Sequence, residues 1–240
     1  MKIPKDMFLE FTKWMVRGPW PMHLQIILHE HLNDYCDVRD IDSFEEMADD
    51  IGSHTLSTLR DIAFNDFLSR ETEDGNVVDD YLKRRGWKEK AVTRTYMQAI
   101  RDSFMSLYEV SDIRPGSSFL ARDLILDGDP IRVEEQTATK TLTSGEHIAA
   151  WIVDVRDHWM IAGGILPFAP QLSEKLQKRL FRMADETELG LEEILEGDEP
   201  LPDDDILQKM ALAMTLKIAT PVFSAIWLAD LKGDAANPSN

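Results

Sequence analysis

Cysteine is all but missing from this chain. Cys36 is the only one in 240 residues, so no internal disulfide and no cysteine-based zinc cluster can form. That scarcity fits a reducing compartment and predicts the cytoplasm. Positive charge is also short. There are 26 Lys and Arg against 44 Asp and Glu, a formal charge of −18, which repels phosphate backbones at long range and works against a general nucleic-acid binder. Long clean apolar runs are absent too. Met210 to Leu231 could cover about 30 Å of hydrocarbon by length. Lys217 near its middle and Pro221 make it a poor span, since a central lysine costs about 2.5–3.5 kcal/mol on insertion scales, and buried helices are expected instead. The opening "MKIPKDMFLEFTKWMV" scatters its charges and carries Pro4, so it reads as no secretory signal. Neither G-x-x-x-x-G-K-[ST] nor G-x-G-x-x-G occurs before a helix, and no G-x-S-x-G elbow is found, which argues against nucleotide hydrolysis and the α/β-hydrolase scheme.

What is present divides the chain by its periodicity. A hydrophobic content of 43% can supply an ordinary core. Residues 1–103 read as helical. In "SFEEMADDIG", Ser43 is placed to cap a helix, Glu46 to complete a capping box and Gly52 to stop it. Leu56, Leu59, Ile62, Ala63 and Phe67 then fall on one helical stripe, which the loop "ETEDGN" ends. Two more helices meet near Gly86 and Trp87.

From residue 104 to 168 short alternating runs take over: "SLYEVSDI", "SSFLARDLIL", "DPIRVEEQTATKTL", "HIAAWIVDVRD" and "HWMIAGGIL". About five short strands at this spacing predict a small antiparallel β-barrel of the SH3 or OB kind, because closure removes exposed edges. Helices return over 169–231, split at Pro221, and residues 232–240 read as a frayed tail. The expected class is therefore α+β, with N-terminal and C-terminal helical segments flanking the barrel.

The stretch that runs from "YLKRRGW" to "MIAGG", residues 81 to 164, resembles a loosely defined group of uncharacterised bacterial proteins. Its marks are Leu107-Tyr108-Glu109-Val110, Arg122-Asp123-Leu124, the turn at Gly145 and the closing Gly163-Gly164. Some of those proteins carry a SEC-C type zinc-binding segment, which needs paired cysteines that this chain lacks. The resemblance implies the domain layout and no particular chemistry.

Several residue sets could carry chemistry. In "RDLILDGDPIRVEE" strand alternation puts Leu124, Leu126, Ile131 and Val133 on one side and Asp123, Ile125, Arg132 and Glu134 on the other, with Asp127 to Pro130 in a turn. The acids then form the wet face of a hairpin, and their spacing does not match a calcium loop. His23, His29 and His31 are spaced by six and two, so none of these pairs shares a helical face as a metalloprotease pair must, and no metal or cofactor is assigned. Cys36 has no adjoining cation, and Asp37 should raise its pKa.

Residues 81–101 carry Lys83, Arg84, Arg85, Lys88, Lys90, Arg94 and Arg101 against Glu89 alone, interleaved with Tyr81, Trp87 and Tyr96. Arg84, Arg85, Trp87, Lys88 and Arg94 are the binding residues singled out. Residues 184–205 hold eleven acids and no Lys or Arg, suited to pair with those basic helices or to compete with nucleic acid for them. Phe119, Trp151 and Trp159 could stack a base, although two of the three are expected in the core. The sequence reading is a non-enzymatic binding or regulatory adaptor for an unknown protein partner, away from membranes. The alternatives are a nucleic-acid-associated factor autoinhibited by the acidic stretch, and a hydrolase whose carboxylate and histidine meet only in space.

Overall fold

The computed structural model describes residues 8–195 and 203–231, with the backbone alone for 192–195. Among these, six helices precede the barrel: α1 (Leu9–Met15), α2 (Trp20–Arg39), α3 (Phe44–Ile51), α4 (Ser53–Ser69), α5 (Val77–Arg85) and α6 (Ala91–Asp102). Their boundaries follow local chemistry. Ser43 Oγ accepts from the Glu46 N–H at 3.2 Å to start α3, and the Glu46 carboxylate reaches back to the Asp42 N–H, one residue short of a full capping box. Asn76 Oδ1 accepts from the Val78 and Asp79 N–H groups to start α5. Its Nδ2 donates to the carbonyls of Leu68 and Arg70, locking the loop before it. The predicted stripe of α4 is buried throughout.

Strands β1 (Met105–Arg114), β2 (Ser118–Asp123), β3 (Ile131–Glu134), β4 (His147–Asp154) and β5 (Trp159–Phe168) close into a barrel in the order β1-β2-β3-β5-β4. Four of the contacts are antiparallel, as expected; the β3–β5 contact is parallel, through Val133↔Trp159 and Glu134↔Met160. The chain leaving β3 passes through a 3-10 turn at Ala138–Lys140 before β4, so β5 returns beside β3 in the same direction. This closed Greek-key order is the OB arrangement, and it removes the sheet edges.

Alternation along the strands separates two cores. Val110, Phe119, Ala121, Val133, Ile148 and Ile152 fill the barrel. Met105, Leu107, Ala149, Trp151, Val153 and Leu166 face outward into the same apolar cluster as the helices. Helix α4 lies directly on β5 at Gly163 and Gly164, where the β4–β5 register shifts between Ala150 and Trp151. Gly163 has φ +74, and a Cβ there would fall 2.3 Å from Asn65 Nδ2, whose amide donates to the Ala162 carbonyl.

Helix α7 (Pro170–Leu195) follows the barrel, then α8 (Asp204–Ile218) and α9 (Thr220–Leu231). No single helix among the described residues is long and apolar enough to cross a membrane; α8 and α9 bend by 66° at their junction. Lys217, the charge that interrupts the apolar stretch, donates to the carbonyls of Arg101 and Ser103 at 3.1 and 3.0 Å, at the C-terminal end of α6. Half-burial lowers its pKa.

Candidate binding site at the barrel mouth

Asp123 builds one end of the barrel. Its Oδ1 accepts from the Ser106 hydroxyl at 2.9 Å and from the N–H groups of Ile125 and Leu126 at 2.8 and 2.9 Å. Those bonds turn the chain at the end of β2, so Leu124 to Leu126 form a turn over the rim and do not continue the strand. This corrects the expected alternation. Asp123 shares the inner side with Phe119 and Ala121 and stands directly across from Tyr108, its partner on β1. Ile125, expected on the wet side, is buried. Of the other acids of the stretch, Asp127 and Asp129 lie exposed in the turn, Glu134 is exposed and bonded to His158 at 2.7 Å, and half-buried Glu135 accepts from the N–H groups of Thr137 and Ala138.

All five strands contribute to a cavity of about 560 Å³ at this end. Tyr108, Ala121, Ile131 and Ile152 line its depth, with Leu126, Phe104 and Trp159 at the sides. The charged residues of its lining are Asp102, Asp123, Asp129 and Asp154, with no Lys, Arg or His among them. Burial raises the pKa of Asp123, against the pull of its hydrogen bonds from Leu126, Ile125 and Ser106. Burial, helped by the charge of Asp123, also pushes the Tyr108 phenol up. Tyr108 is only 7% exposed, and its hydroxyl has no hydrogen-bond partner among the described residues. Asp129 and Asp154 are likewise exposed carboxylates with no ion pair among them. Trp159 is 37% exposed, whereas Phe119 and Trp151 are fully buried, which divides the three barrel aromatics as expected.

The histidines separate. His23 Nε2 lies 2.8 Å from Asp74, and with Glu73 these ligand atoms lie close enough to hold a metal ion. Spacing could not show that grouping, since His23 is on α2 while Glu73 and Asp74 sit on the loop between α4 and α5. His29 and the half-buried Cys36 line a shallow groove beside α2, and the thiol pKa is raised, by burial first and by Asp37 second. His31 is buried, with Nδ1 2.7 Å from Ser224 Oγ and Nε2 3.0 Å from Asp66, and Arg70 joins Asp66 to Glu30. The atom order matches a nucleophile, base and acid. Yet Ser224 and Asp66 are 0% exposed and His31 1%, so solvent does not reach the hydroxyl and the chain of bonds ties α2, α4 and α9 together.

The basic helices are partly spent on their neighbours. Arg84 pairs with Asp80, Arg94 donates to the Gly86 carbonyl, and Arg101 holds Glu71 and Asp79. Tyr81 and Tyr96, which in the nucleic-acid alternative would face the ligand, are buried in the helical core, leaving Trp87 exposed at 74% with the Lys88 ammonium 5.0 Å from its ring centre. Arg85 and Lys88 have no ion pair among the described residues. Residues 196–202 of the acidic stretch lie outside the described residues. A second groove, of about 670 Å³, sets Lys175, Lys178, Arg179 and Arg182 of α7 opposite Glu30 and Asp34 of α2 over an apolar floor from α9.

The sequence pattern of a family of unknown function, DUF7986, matches residues 36–194, and the chain belongs to that family. The match contains the whole span from which the resemblance to uncharacterised bacterial proteins is read. No curated protein and no solved structure matches.

Proposed function

We propose that the chain is a non-enzymatic binding or regulatory adaptor, acting in the cytoplasm, with the barrel mouth as its site and a partner protein as the source of what binds there. One observation carries this reading. The mouth is a preformed concave space with aromatic and aliphatic walls, and Tyr108, only 7% exposed, lines it with a hydroxyl that has no hydrogen-bond partner among the described residues. A phenol hydroxyl without a protein partner offers a ligand both a donor and an acceptor. The zinc segment of the resembling proteins needs cysteines absent here, and nothing is drawn from it.

The test has two arms. Purified protein is assayed for turnover of generic ester, phosphate and peptide substrates with and without added divalent metals, and fragments of varied charge are screened by protein-observed NMR. The reading expects no turnover, and fragment shifts centred on Tyr108 and Trp159. Gly128→Trp should abolish those shifts, since Gly128 sits on the rim with open space beyond its Cα. Robust turnover lost on substitution of one carboxylate or histidine overturns it.

A second reading, a nucleic-acid-associated factor, draws support from the exposure of Trp87 beside Lys88 and Arg85. It expects weak, strongly salt-dependent binding that strengthens when residues 184–205 are removed, and fails if neither form binds at low salt.

A further inference from the structure

The lining of the barrel mouth carries charge of one sign. We infer that its ligand is an organic cation on an apolar stem, an alkyl guanidinium or ammonium group. The inference rests on the reading of the mouth as a binding site and goes on to name what that site takes.

Four observations converge on this class. All four charged residues of the lining are aspartates. Asp129 and Asp154 stand at the rim with no ion pair among the described residues, so their charge is uncommitted. Asp102 is only loosely engaged, 3.7 Å from Arg101 and largely exposed. Lys217, whose ammonium lies 6.0 Å from the Phe104 ring centre, is already held by the carbonyls of Arg101 and Ser103.

Between the rim and the barrel interior the walls are apolar, from Leu126, Ile131 and Ile152, which suits a methylene stem. Trp159 offers a ring face at the rim, the best side chain for attracting a cation. Tyr108, a lining residue only 7% exposed, has a hydroxyl with no hydrogen-bond partner among the described residues, a hydrogen-bonding group with no assigned use. Acids alone would describe a solvated surface. Acids around an apolar cavity, with an exposed tryptophan and the unpartnered hydroxyl of a largely buried tyrosine in its lining, describe a receptor for a side chain such as arginine or lysine. An anionic ligand would meet only repulsion there, and the field of the whole chain, at −18, steers cations toward it.

The experiment uses the full chain labelled with 5-fluorotryptophan, the Trp159 resonance being assigned with Trp159→Phe. Four probes are titrated: n-propylguanidinium, its uncharged isostere n-propylurea, butyrate, and a short capped peptide with one arginine. The two cations should move the Trp159 resonance saturably, with propylurea and butyrate at least about fivefold weaker. Asp129→Asn and Asp154→Asn, neither of which takes part in folding contacts described above, should each weaken the cation by about twofold to fivefold, and salt should weaken it further. Tighter binding of the peptide than of free propylguanidinium assigns the cation to a partner protein; the reverse assigns it to a free small molecule. Equal binding of propylurea overturns the cation assignment and leaves the mouth as a binding site. A Trp159 resonance unmoved by either cation also overturns it, while the fragment screen reports on the mouth separately. Shifts that persist unchanged in Gly128→Trp place the binding elsewhere and overturn both.

Discussion

Asp123 shows how one side chain can set both shape and chemistry. A carboxylate at the end of a strand accepts two backbone N–H groups and a serine hydroxyl, and in doing so stops β2 and folds the chain over the rim. Asp123→Ala removes all three acceptor contacts and should cost about 1–2 kcal/mol in chemical denaturation. Asp123→Asn keeps an oxygen for the turn and should cost much less. The charge itself works against the fold. Burial raises the folded pKa above the ordinary value, so the fold favours the protonated form. The contribution of this group is therefore present below the ordinary carboxylate range and is lost as pH rises through the raised value. Measured over about pH 4 to 7, the stability of the wild type relative to Asp123→Asn should fall with rising pH. A flat difference would show that the carboxyl is not perturbed.

At the scale of elements, close approach and buried polar bonds fix what hydrophobic periodicity leaves open. Helix α4 can rest on β5 only because residues 163 and 164 lack a side chain. A Cβ on Gly164 would lie 2.7 Å from Thr58 Cγ2, and the left-handed φ of Gly163 adds strain for any other residue. Gly163→Ala should lose about 2–3 kcal/mol, read as a lower thermal midpoint. The buried network of His31, Asp66 and Ser224 should behave as a structural tie. His31→Ala leaves a buried carboxylate and its arginine without their third member and should destabilise by about 3–5 kcal/mol in urea unfolding. Full stability of that variant would mean the network is not formed. Elements of this kind were legible in part. The α4 stripe, the Ser43 cap and the stop at Gly52 follow from local rules. The inward turn of Asp123 does not, because the apolar alternation runs on through Leu126 while hydrogen bonds to the carboxylate end the strand at Asp123.

For the whole molecule, the layout of helices, five-stranded barrel and helices was readable from the change of period near residue 104 and its return after the barrel. The parallel β3–β5 contact was not, since local alternation carries no information about which strands meet. The same limit hid the site. Tyr108, Asp102 and Asp154 are ordinary residues in three separate segments, and only closure of the barrel brings them to one mouth. The basic helices are conspicuous in sequence because their charges are adjacent, yet Arg84, Arg94 and Arg101 are engaged within the fold. The most direct measurement of the central claim is calorimetric titration of the arginine-bearing capped peptide into the wild-type chain and into Gly128→Trp. The account predicts saturable binding to the wild type that weakens as salt is raised and is lost in Gly128→Trp; equal heats in the two proteins, or none in the wild type at low salt, would contradict it.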